Sequence, residues 1–214
     1  MGRCRMHKLY DFMEARERLS TVTVKTKLIH SDVFSQECGN DVYIKPENLQ
    51  ITGSFKVRGA YNKISKLSNE EKERGVIAAS AGNHAQGVAL AAKRLGIKAV
   101  IAMPKHTPLI KVKATKQYGA EVVLHGEIYD EAYQKAVDLQ KEKGYVLVHP
   151  FDDEDVIEGQ GTIALEVLEE LPDADVLLVP VGGGGLVAGI AAAAKLKNPQ
   201  IKVIGVEPEG AASA

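Results

Sequence analysis

From residue 76 onward the chain alternates short, β-rich apolar runs with helical stretches, and this alternation is what most limits the folds open to it. The runs are 76–79 (VIAA), 99–103 (AVIAM), 121–124 (EVVL), 146–148 (VLV), 176–181 (VLLVPV) and 203–206 (VIGV). Between the first two, residues 84–95 carry Ala85, Val88, Ala89, Ala92 and Leu95 at the three- and four-residue spacing of a helix with one apolar face. Residues 108–118 begin at a proline and stop before Gly119, 128–143 stop before Gly144, and 162–171 stop before Pro172. Strands this apolar, each followed by a helix, predict an α/β fold with a parallel sheet covered by helices. Upstream, the pattern predicts a helix over 11–19, a strand over 42–45, and a helix over 55–67 with Ser54 at its N-cap.

Charge excludes some partners. Lys plus Arg number 27 and Asp plus Glu 28, so the net charge is -1 and there is no basic footprint for nucleic acid. Residues 176–194 are uncharged, but Pro180 and the run Gly182 to Gly185 interrupt them, so they read as a buried strand, a turn and an alanine-rich helix rather than a membrane span. Two cysteines, Cys4 and Cys38, build no disulfide framework and suit a reducing compartment, which leads us to expect a cytoplasmic protein. No HExxH or paired Cys/His spacing exists, so no metal site is expected. The acidic run Asp152 to Asp155, with Glu158, reads as a helix start. A covering helix normally follows the last strand of such a sheet, yet the chain stops at Ala214, so a fragment of a longer protein is expected.

Three segments could carry chemistry. In Thr52-Gly53-Ser54-Phe55-Lys56-Val57-Arg58-Gly59, Lys56 falls in the first turn of a helix. The helix dipole opposes a cation there and favours the neutral amine that a Schiff-base lysine needs. By itself, the segment reads more readily as a solvated surface lysine. Ser80-Ala81-Gly82-Asn83-His84 lies between a strand and a helix, at the carboxyl end of a parallel sheet, where ligands of such sheets bind. Free N–H groups there can hold a carboxylate, and Asn83 can cap the helix or contact a ligand; a plain βα turn is the alternative. Gly182-Gly183-Gly184-Gly185-Leu186 again joins a strand to a helix. Four glycines are costly in backbone entropy, and their bare N–H groups can wrap a phosphate. A competing reading is a dinucleotide fingerprint from Gly183, Gly185 and Ala188, with Glu207 as the ribose acid, but it leaves Lys56 and Asn83 without a job.

Taken in order, GSFKVRGA, SAGNHAQG, HPFDDEDVIEGQGT, VPVGGGGLVAGI and VIGVEPEG resemble the threonine dehydratase (threonine ammonia-lyase) group of fold type II pyridoxal-phosphate enzymes, with serine dehydratase and serine racemase. The resemblance implies a two-domain fold, incomplete at its C-terminus. A small domain would run over 54–148, set into a larger one made of 1–53 and 149–214. It implies pyridoxal 5'-phosphate as cofactor, with Lys56 as its Schiff-base lysine and catalytic base, Phe55 beside it, and Asn83 on the ring hydroxyl. Gly182, Gly183, Gly184, Gly185 and Leu186 would hold the phosphate, and Ser80, Ala81, Gly82, Asn83 and His84 the substrate carboxylate. The implied reaction turns L-threonine, and secondarily L-serine, into a 2-oxo acid and ammonia. Racemases of the group resemble each other in a serine before Gly-Asn-His; Ala81 stands there in this chain, which points to a lyase. Alternatives are a serine-directed relative and a non-catalytic fragment. Relatives of this kind imply a homodimer or homotetramer.

Overall fold

The computed structural model describes residues 7–212; Cys4 lies outside them. Along the chain come α1 (Leu9–Leu19), β1 (Ile29–His30), α2 (Asp32–Cys38), β2 (Tyr43–Ile44), α3 (Lys56–Ser65), α4 (Asn69–Arg74) and β3 (Val76–Ala79). Then follow α5 (Asn83–Leu95), β4 (Ala99–Met103), α6 (Leu109–Gln117), β5 (Glu121–Leu124), α7 (Tyr129–Lys143) and β6 (Val146–Leu147). The last elements are α8 (Glu154–Glu170), β7 (Val176–Pro180), α9 (Gly185–Lys197) and β8 (Lys202–Val206).

Four strands form one parallel sheet in the order β5-β4-β3-β6. Both of its faces are covered, which is why β3 and β4 are buried at every position. Val76, Ala78, Ile101 and Met103 face one side with Ala85, Val88 and Ala92 of α5. Ile77, Ala79, Val100 and Ala102 face the other with Ala136 of α7. Strand period two thus divides one apolar run between two cores. A separate parallel pair, β7 and β8, is joined by α9 and shares its core with Phe12 of α1 and with Ile163, Ala164 and Val167 of α8.

Helix α8 begins at Glu154, eight residues before the expected start at Thr162. Its first half holds few large apolar residues, so periodicity misses it. Asp153 caps it instead, its Oδ1 accepting from the N–H groups of Asp155 (2.9 Å) and Val156 (3.2 Å). The glycines of that half are there for contact: α8 lies between α3 and α9 with backbones nearly touching. A Cβ on Gly159 would meet Gly59 Cα at 2.6 Å, and one on Gly189 would meet Gly161 N at 2.7 Å. Two further helices, α2 and α4, were not expected; α4 opens with a capping box in which Ser68 and Glu71 bond each other's backbone N–H.

One expected cap is corrected, and the capping alternative for Asn83 is excluded. The N-cap of α3 is Phe55 in a helical conformation, not Ser54, because a turn starting at Phe55 already closes, Arg58 N donating to Phe55 O at 3.0 Å. Ser54 Oγ still accepts from Lys56 N at 3.4 Å. Likewise Gly82 is the N-cap of α5, and Asn83 is its first helical residue, so the Asn83 side chain is not used as a cap.

Candidate active site

Sheet order alone marks a cleft. The chain leaves β3 into α5 on one face, whereas β6, on the other side of β3 from β4, leads away to α8. Segments that diverge after neighbouring parallel strands open a crevice at their carboxyl ends. The two segments are 80–82 and 148–153.

Lys56, Asn83 and Gly185 are each the first residue of a helix, α3, α5 and α9, and none of these three helices has a side-chain cap. The first-turn N–H groups of α5 and α9 can therefore serve a ligand, whereas at α3 Lys56 N already meets Ser54 Oγ and Arg58 N meets Phe55 O. The β3–α5 turn is held by Ser80, whose Oγ accepts from Gly82 N at 3.1 Å. Asn83 is exposed at its rim. At the β7–α9 turn, Gly184 has φ +86°, which favours glycine, and a Cβ on Gly182 or Gly184 would meet only open space. Leu186 is half-buried against the β7–β8 core.

Residues 148–151 join these turns. Lys56 Nζ donates to Pro150 O at 2.8 Å. His84 Nε2 bonds Val148 O at 2.9 Å. The Phe151 ring lies where side chains on Gly183 would fall, 2.1 Å from a built Cβ, and its backbone abuts Gly185 at 2.8 Å. Helix α5 also reaches the start of α3 directly: a Cβ on Gly87 would meet the Lys56 carbonyl carbon at 3.0 Å. All three segments singled out in the sequence thus meet at one place. What sequence reasoning missed as site residues are Pro150, Phe151 and Gly87; the HPF run and the glycine in AQG were their only signals.

Burial holds the Lys56 amine below its ordinary pKa. Its Nζ lies 5.4 Å from the centre of the Phe55 ring. His149 is half-buried, and burial lowers its pKa too; its Nδ1 accepts from Asp152 N at 2.8 Å. The His84 side chain is buried, so any help it gives a substrate carboxylate comes through its backbone N–H.

Burial also pushes His84 down to about 4, against the opposing Val148 hydrogen bond. An unfolded histidine takes its proton near 6.5, so the unfolded chain binds more protons over the interval between. Stability from this group is complete above that interval and lost on acidification through it, a change of about 3 kcal/mol. Urea unfolding at about pH 7 and about pH 4.5 should show the fall, and His84→Gln should flatten it. An unchanged slope in that variant would remove His84 as the source. His149 adds in the same direction.

An α/β fold thus brings a half-buried lysine and the starts of α3, α5 and α9 together around residues 148–151. The chain belongs to the pyridoxal-phosphate dependent enzyme family, which matches residues 19–214. Within it, the L-threonine ammonia-lyase of Thermotoga maritima is 56% identical over 204 residues, 95% of this chain and 51% of that protein. Among solved structures, the processed form of threonine deaminase isoform 2 from Solanum lycopersicum has a TM-score of 0.92 and 48% identity, covering 96% of this chain and 56% of that one. Maize serine racemase has a TM-score of 0.93 at 38% identity, over 96% of this chain and 63% of that one. The chain spans about half the length of the curated relatives it matches first.

The residues present fit the family's cofactor. Its phosphate needs bare N–H groups, which the start of α9 supplies, and its aldehyde needs an amine, which Lys56 offers. Topology alone does not separate this from the dinucleotide alternative, since β7-α9-β8 is a complete parallel βαβ unit. The family match separates them, because it assigns a pyridoxal-phosphate enzyme.

Proposed function

We propose that this chain carries the cofactor and substrate machinery of an L-threonine ammonia-lyase, converting L-threonine to 2-oxobutanoate and ammonia, with L-serine giving pyruvate as a slower second reaction. The observation that carries this reading is the meeting of Lys56, the 80–84 turn and the 182–186 turn on residues 148–151. The names of the relatives above support the choice of substrate.

In this reading, the N–H groups of Gly182 to Gly185 and Leu186 bind the phosphate of pyridoxal 5'-phosphate. Lys56 Nζ holds the cofactor, with Phe55 flanking that amine. Asn83, exposed at the rim, turns its amide to the ring hydroxyl. When bound, the cofactor supplies an electron sink that acidifies the substrate Cα–H. The backbone N–H groups of Ser80 to His84 orient the substrate carboxylate at the α5 N-terminus. Lys56 Nζ, whose pKa burial lowers, takes the Cα proton once the substrate's own amine has replaced it on the cofactor. Ala81 offers no proton to the other face of Cα, which favours elimination over racemisation and leaves a serine racemase as the weaker reading.

We read residues 54–148 as the small domain and 1–53 with 149–214 as the larger one. The separate cores of the two sheets support that division. Helix α3 then lies at the seam, packed on both α5 and α8. Assembly into a homodimer or homotetramer and a cytoplasmic location belong to the same proposal. No helix among the described residues is long and apolar enough to cross a membrane. Incubation with pyridoxal phosphate, borohydride reduction and peptide mapping should place the adduct on Lys56. An adduct confined to surface lysines would sink the assignment.

A further inference from the structure

The geometry points to His84 as a positioning residue: through the Val148 carbonyl it fixes the segment whose Pro150 carbonyl holds the Lys56 amine. The inference deepens the proposed function and rests on it for the role of the amine, though not for the amine's position.

Few backbone hydrogen bonds anchor this segment. Strand β6 ends at Leu147, and the last ladder bond is Val148 N to Ile77 O at 2.8 Å. Beyond it, Pro150 has no N–H to donate. The next hydrogen bond is local, His149 Nδ1 accepting from Asp152 N, and beyond it Phe151 packs on Gly183 and Gly185. Val148 O, two residues before Pro150, is therefore the anchoring point, and His84 Nε2 is its partner at 2.9 Å. A carbonyl only accepts, so Nε2 must carry the hydrogen. Because His84 is pushed down to about 4, the ring stays in that one neutral form near neutral pH.

Packing alone does not explain this residue. Its other nitrogen, Nδ1, is buried with no hydrogen-bond partner among the described residues. An apolar side chain of similar volume would fill the space without burying an unpaired acceptor. What an apolar side chain cannot supply is the donor to Val148 O.

The test compares His84→Phe, which fills the space without a donor, with His84→Gln, whose amide can donate to the same carbonyl. The readout on the cofactor-free protein is competitive acylation by acetic anhydride, with Lys56 scored against exposed Lys116 by mass spectrometry. Release from the Pro150 carbonyl should raise relative Lys56 acylation by about ten-fold in His84→Phe. His84→Gln should restore the wild-type value. Equal acylation in all three proteins, or an equal rise in both variants, would overturn the proposal. Should His84→Phe not fold, ¹⁵N NMR of the wild-type imidazole decides: hydrogen on Nε2 supports the proposal and hydrogen on Nδ1 overturns it. A parallel labelling with pyridoxal phosphate and borohydride separates the two readings. If the acylation pattern holds but wild type takes no adduct at Lys56, the positioning role stands and the cofactor assignment falls.

Discussion

Replacing Lys56 with alanine is expected to abolish the borohydride-fixed pyridoxal-phosphate adduct and to lower any threonine turnover by about 10²–10⁴-fold, the range for a lost proton-transfer group. The same change should leave the fold as stable as before, or more so. Lys56 is the first residue of α3, where a cation opposes the helix dipole at a cost of about 0.3–1 kcal/mol. Burial disfavours its charge further. Among the described residues, the side-chain hydrogen bond lost in exchange is the one to Pro150 O, together with the contact of Nζ with the Phe55 ring. A group that harms stability and is needed for function is the pattern expected of an active-site residue. Urea denaturation and reduced-adduct mass spectrometry on the same two proteins check both halves. An undiminished adduct in Lys56→Ala would refute the assignment, and a large loss of stability would show that Lys56 acts as a structural residue.

The second large effect concerns Arg58, two residues on. Arg58 is fully buried and donates from Nε and Nη2 to Glu47 (2.8 and 2.9 Å), and from Nη1 and Nη2 to Glu166 (2.6 and 3.0 Å). Nη1 also reaches Thr162 Oγ1 at 3.1 Å. Burial works against its charge, but the two carboxylates outweigh it, and its pKa is raised. Glu166 in turn is held below the usual carboxylate range: burial opposes its charge, and Arg58 and Lys45 more than compensate. Arg58→Met keeps much of the volume but removes the cation shared by Glu47 and Glu166, leaving Glu47 its hydrogen bonds from Thr26 Oγ1 (2.8 Å) and Gln50 Nε2 (3.2 Å) and Glu166 its ion pair with Lys45 (2.7 Å). Removing one partner of a buried ion pair costs about 3–5 kcal/mol. For a chain of this size that lowers the melting temperature by about 10 °C. Thermal unfolding of Arg58→Met measures it. A shift of less than about 2 °C would mean that the network is not what fastens α3 to α8. Arg58→Met should also weaken cofactor attachment, because the same helix carries Lys56.

How much of this was legible beforehand differs between levels. The strands of the four-stranded sheet were readable because full burial on two faces demands continuous apolar runs, and β3 and β4 are such runs. Helices α5, α6 and α7 were readable from their spacing and from the glycines that end or follow them. Helix α8 was read at half its length. Glycine at 159 and 161 weakens a helix in isolation, and only the close approach of α3 and α9 shows why both belong there.

The candidate residues divide in the same way. Local chain chemistry placed helix starts within a residue or two of Lys56 and Asn83 and showed that the glycine run follows a strand, since turns and helix starts are written in a few adjacent residues; the exact first residues came from the structure. The order of five motifs also carried the resemblance to the family that matches residues 19–214. Tertiary structure alone decided that Lys56 bonds the carbonyl of Pro150, 94 residues away, and that His84 is turned inward to Val148, 64 residues away. It decided too that Phe151, not a loop glycine's own neighbour, lies against Gly183. Such contacts depend on strand order, on which face each helix takes and on how closely glycines let backbones approach. None of these is fixed by any short stretch of residues, because each is settled by the packing of the whole chain at once.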